Sequence, residues 1–80
     1  MKNVYATSDL GLAAYLHALG HRLEKLDRVD PRRVQFCFAA SEELAEAIDG
    51  YWKGTAKVQP LELLTSQRVL KHRLYDQLCN

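Results

Sequence analysis

Eighty residues with a formal net charge of +1, 48% apolar and 26% charged, have the composition of an ordinary globular protein and exclude a disordered or fibrous chain. A chain this short buries only about 60% of the surface its unfolded form exposes, so one core and a single domain over residues 1–80 are expected. Residues 1–30 carry four basic and four acidic groups, 31–59 four and four, and 60–80 three and two, so no polybasic tail demands nucleic acid or an anionic membrane.

Val4 to Ala6 is a short extended segment, followed by Thr7, Ser8 and Asp9. Any of these three can cap a helix by accepting a hydrogen bond from a backbone N–H that the helix leaves unpaired. The first helix then runs to about Leu19, where Gly20 supplies the left-handed conformation that ends it. The apolar stretch Leu10 to Leu19 is preceded by Asp9 and interrupted by His17. It falls well short of the roughly 20 residues that span a bilayer, so no membrane association is expected. Leu12, Tyr15, Leu16 and Leu19 share one face, and Leu10, Ala14, His17 and Ala18 the other. A helix apolar on both sides is expected between the sheet and the last helix. The functional alternative makes Leu10, Ala14, His17 and Ala18 a surface for a partner or a second copy.

His21 to Val29 and Arg33 to Ala39 flank Asp30-Pro31-Arg32, where proline presets a turn, so a hairpin is predicted. Its second strand alternates cleanly, with Val34, Phe36 and Phe38 on one face and Arg33, Gln35 and Cys37 on the other. In the first strand Leu23, Leu26 and Val29 are three apart; a bulge between Leu23 and Leu26 would put both on the core side. Arg22, Lys25, Arg28, Arg32 and Arg33 gather on this hairpin, and phosphate binding is their sharpest reading. Glu24, Asp27 and Asp30 lie among them, so a self-compensated, solvated face is the simpler account. His17 and His21 have a spacing that can serve zinc on a helix face, but Gly20 breaks the helix between them and no paired cysteines complete a site. No metal or cofactor is expected.

Ser41 caps a second helix with Glu42 and Glu43 in its first turn, where the helix dipole favours negative charge. Leu44, Ala45, Ile48, Tyr51 and Trp52 fall within one arc, which assigns Trp52 to the core; exposure would make it an interface anchor instead. Gly54 closes the helix. Thr55 to Gln59 is extended, a candidate edge strand, and Pro60 suits the first turn of the helix after it. That third helix spans about Leu61 to Leu78, with Leu63, Leu70, Leu74 and Leu78 as its buried stripe and Leu64 and Tyr75 at the flanks. The order of elements matches an α+β, ferredoxin-like split β-α-β-β-α(-β) arrangement, an antiparallel sheet of three or four strands with helices on one face, plus a C-terminal helix.

Arg33 to Phe38 followed by Ser41 to Ile48 resembles the third strand and second helix of an RNA-recognition motif, which stacks bases on exposed sheet aromatics. In that register the stacking positions fall at Arg33 and Gln35, so the strand lacks the aromatic platform worth about 1–3 kcal/mol per base, and only Tyr5 could bring a ring to that face. Catalysis finds little footing. Nothing in the sequence lowers the pKa of Cys37, no base is placed beside it, although His72 is a candidate, and Glu42, Glu43, Glu46 and Asp49 form the polar side of an amphipathic helix. Cys37 and Cys79, far apart and without CxxC spacing, are expected to be reduced thiols in a cytoplasm.

Several segments taken in order, Tyr5-Ala6-Thr7-Ser8-Asp9-Leu10, Leu12 to Leu16 with Gly20, Arg33 to Phe38, Glu43-Leu44, Tyr51-Trp52-Lys53-Gly54, Val58-Gln59-Pro60 and Leu70 to Tyr75, resemble the small bacterial and phage domain-of-unknown-function family 5659. The resemblance implies a compact fold over nearly the whole chain and supplies no catalytic residue. The functional expectation is a non-enzymatic module that binds a protein partner or forms a homodimer; the alternative is a nucleic-acid-binding accessory protein using the hairpin cations with Tyr5 and Gln35.

Overall fold

The computed structural model describes residues 4–30 and 33–79, with side chains over 4–28 and 33–77. The elements in chain order are β1 (Val4–Thr7), α1 (Leu10–Ala18), β2 (Leu23–Asp30), β3 (Arg33–Ala39), α2 (Glu42–Lys53) and α3 (Pro60–Cys79). The Pro31-Arg32 turn lies outside the described residues, as does the side chain of Leu78, expected in the buried stripe of the last helix.

The strands form one antiparallel sheet in the order β1-β3-β2, so the first strand lies beside the third and β2 is an edge. Thr55 to Gln59 forms no strand, and among the described residues the sheet has three. The segment is anchored by Ala56 and Val58, which turn partly inward onto the core. The expected bulge is present. Leu23 pairs with Phe38 but Lys25 with Cys37, so Glu24 is an extra residue, and Leu26 returns to the inner row opposite Phe36. A second shift separates Arg28, opposite Val34, from Asp30, opposite Arg33.

Local chemistry sets the helix ends. Asp9 Oδ1 accepts from the Leu12 N–H at 3.3 Å at the start of α1, and Ser41 Oγ from the Leu44 N–H at 3.0 Å at the start of α2; each satisfies a donor that has no partner within its helix. At the other end of α1, Gly20 has φ +98°. The Gly20 N–H donates to the His17 carbonyl and the His21 N–H to the Leu16 carbonyl, a Schellman closure. Gly54, with φ +77°, ends α2 in the same way, its N–H donating to Tyr51 and that of Thr55 to Gly50.

The core lies between the sheet and the helices. Phe36 and Phe38 are buried with Leu12, Leu16, Leu23, Leu44 and Leu70. Helix α1 is covered on both sides, as expected from its apolar faces: Leu12 to Leu16 are all buried, and α3 lies along it. Leu70 is the fully enclosed residue of α3, with Leu63 and Leu74 partly buried beside it. Tyr51 sits against Tyr15 with ring centroids 5.5 Å apart, and its hydroxyl comes within 2.9 Å of where a Cβ on Gly11 would stand. Glycine at position 11 therefore lets α2 approach α1 closely.

Candidate functional site

The side of the sheet away from Phe36 and Phe38 is where an RNA-recognition motif would carry its rings. The inner placement of those two phenylalanines holds, and Arg33 and Gln35 face outward. Tyr5 does not join them. It pairs with Phe38 and packs on the core, so it belongs to the inner row, and Val4 and Ala6 are the β1 residues that share the outer face with Ala39 and Cys37. No aromatic ring among the described residues of the sheet is available for stacking on that face.

The hairpin cations are not brought together either. Lys25 and Arg33 lie on the outer face, Lys25 opposite Cys37, with Asp27 opposite Gln35 in the same rows. Arg28 is opposite Val34 and thus on the inner side of the sheet's margin, Arg22 precedes β2 altogether, and Arg32 lies outside the described residues. The pleat of a strand sends alternate residues to opposite faces, so a charge cluster in sequence becomes two groups in space. Cys37 is only 2% exposed. Burial raises the pKa of its thiol, with the nearby Asp27 carboxylate adding to the effect and Lys25 opposing it. The His72 side chain is exposed on α3, where it lies 3.5 Å from Asp76.

The proposed interface on α1 is overturned by packing. Ala14 is fully buried and Leu10 is partly buried against the core, because α3 covers the side of α1 that would have been free. His17 and Ala18, half-buried, border a shallow cleft with Leu61, Glu62, Thr65 and Ser66 of α3. Within the α1 and α3 contact His17 Nδ1 lies 2.9 Å from the hydroxyl of Ser66, a buried polar side chain. Their separation of 49 residues hides this pair from any local motif.

Trp52 reverses its assignment. It is 62% exposed, edge-on to Tyr51 with centroids 5.1 Å apart. The flanks of α3 are corrected in the same direction. Leu61 is 72% and Tyr75 62% exposed, and Leu64 and Val69 are exposed too. Leu61, Leu64, Arg68, His72 and Tyr75 follow one another at intervals of three and four, so they share the side of α3 opposite Leu63, Leu70 and Leu74, with Leu61 at the helix start also bordering the cleft beside His17. Arg68 and His72 also line a shallow cleft of about 360 Å³ with Val69 and Arg73.

A different group of basic side chains does converge. His17, His21, Arg22 and Arg73 line one open cleft of about 390 Å³ together with Gly20 and Leu23. No group of three or more histidine, cysteine or carboxylate side chains suited to a metal ion comes together among the described residues.

This geometry defines a small α+β protein with a three-stranded antiparallel sheet, a sheet face bare of aromatic rings and no helix among the described residues long and apolar enough to cross a membrane. Residues 2–76 match the family Domain of unknown function (DUF5659), and the chain belongs to that family. No curated protein and no solved structure matches the chain.

Proposed function

We propose that this chain is a non-enzymatic protein-interaction module whose docking surface is the outer face of α3. The observation that carries the reading is the row Leu61, Leu64 and Tyr75, with Val69 at its margin, left exposed on a helix whose other side already serves the core. Large apolar side chains gathered on one face favour a protein contact, because covering them removes apolar area from water at about 25 cal/mol per Å². The middle of the same face carries Arg68 and Lys71. A two-fold antiparallel pairing of α3 with itself would set these cations against each other, so a different protein with carboxylates between apolar anchors fits better than a homodimer. The setting is proposed to be cytoplasmic, in keeping with the free thiol of Cys37. Nucleic-acid binding through the hairpin has less support, since its cations fall on two sides of the sheet.

A photo-crosslinking residue placed at Leu64 or Tyr75 should capture a discrete partner in extract from the native host, while one at Glu42 or Glu46 should not. The captured protein, purified, should bind the chain with affinity reduced about tenfold or more by Leu61→Ser with Tyr75→Ser, a loss typical of interface anchors. Equal capture from both helices, or unchanged affinity, would rule the α3 face out. Sedimentation that shows a dimer abolished by Leu64→Glu would favour self-association.

A further inference from the structure

Three separate parts of the chain line the same cleft with groups able to donate to an anion: His17 from α1, His21 and Arg22 from the connection to β2, and Arg73 from α3. We propose that this cleft binds the terminal phosphate of a small phosphomonoester, independently of the α3 docking face. No carboxylate lines it, although the chain as a whole nearly balances its charges. The closest acidic groups border neighbouring clefts: Glu24 and Asp76 on the far side of Arg73, and Glu62 beyond His17. Asp76 is turned to His72 at 3.5 Å.

The lining side chains are also available. Among the described residues, the side chains of His21, Arg22 and Arg73 make no hydrogen bond or ion pair, and that of His17 makes one, through Nδ1 to Ser66. With the Ser66 hydroxyl donating to Nδ1, the proton of a neutral His17 ring sits on Nε2, which leaves a donor for an anion. The Gly20 and His21 N–H groups are already committed to α1 carbonyls, so the recognition proposed here is carried by the side chains. Two guanidinium groups present forked donors that match phosphate oxygens, and imidazoles add directional donors beside them.

The isolation of the cluster favours a monoester over a polyanion. A cleft of about 390 Å³ has room for a phosphate group and part of what bears it. A nucleic-acid backbone would need a track of cations leading away from it, and the hairpin cations do not form one, since Lys25 and Arg33 lie on the outer face of the sheet and Arg28 on the inner side.

Inorganic phosphate and a nucleoside monophosphate, titrated at fixed pH 7 and low salt, should each produce saturable shifts in the ring resonances of His17 and His21. Arg73→Gln and Arg22→Gln should each raise the dissociation constant about tenfold, the size expected for one charge-assisted pair. Both arginines are exposed, so the unfolding midpoint should hold. Shifts that rise linearly without saturation, or a dissociation constant untouched by Arg73→Gln, would overturn the proposal. So would an oligonucleotide lacking a terminal phosphate that binds more tightly than the mononucleotide, because only diesters would then be needed.

Discussion

Helix α1 is nine residues long and buries five in succession, Leu12 to Leu16, whereas α3 runs for twenty and fully encloses only Leu70 among its described apolar side chains. The two helices lie against each other, yet only one is sheltered on both sides. The sheet takes one flank of α1 and α3 takes the other, and Ala13 and Ala14 are small enough to let both approach. No second layer covers the far side of α3 among the described residues. The difference teaches that apolar residues on a helix can have two employments. Those of α1 are consumed by the fold, and those on the outside of α3 are left over from it.

The contrast can be broken most directly by matched truncations. Leu16→Ala should destabilise the protein by about 2–5 kcal/mol, since it empties a fully enclosed position, while Leu64→Ala should stay within about 0.5 kcal/mol. Urea unfolding of the two variants measures both, and similar losses would show that α3 is more enclosed than its exposure indicates. A smaller effect probes the seam between the helices. Ser66→Ala removes the partner of His17 Nδ1 and should cost about 1–2 kcal/mol, by the same unfolding measurement, if that nitrogen is left without a hydrogen bond. A loss of only a few tenths would mean that water replaces the hydroxyl.

The least effect is expected away from both helices, at Cys37. Burial raises its pKa in the folded state, so the protonated thiol is the form the fold prefers. Stability should be indifferent to this group below the ordinary thiol value of about 8.5 and should fall as pH rises beyond it, when the unfolded chain ionises first. Alkylation of the folded protein at neutral pH, followed in a Cys79→Ser background so that one thiol is read, should be slow and should accelerate on unfolding. Rapid labelling of the native state would show an accessible thiolate.

Elements whose signals are local were legible in the sequence. The alternation of β3 fixed which side Phe36 and Phe38 take, and Asp9, Ser41, Gly20 and Gly54 mark helix ends through bonds that span only a few residues. Even the bulge could be inferred, because two leucines three apart cannot otherwise share a face of a strand. The misses were tertiary. Val4 to Thr7 is too short and too irregular to declare its inner face, so the sequence leaves Tyr5 open to either side, and its pairing with Phe38 turns it inward. Trp52 lies in the apolar arc of α2, but the contact that helix makes ends at Tyr51, and the arc is wider than the surface available to cover it. The phosphate cleft joins His17, His21 and Arg22 to Arg73 across some fifty positions, and its charges looked balanced in sequence because their acidic neighbours point into other clefts.

The extra residue in β2 has a consequence for insertions and deletions. Without Glu24 the chain would read Leu23, Lys25, Leu26, Asp27, which already falls inward, outward, inward, outward against Phe38, Cys37, Phe36 and Gln35. A deletion at that point would take up slack and leave a regular ladder with both leucines still inside. A one-residue insertion has no such outlet: it would need a wider bulge or turn Leu23 out to water, so this edge of the hairpin tolerates shortening far better than lengthening.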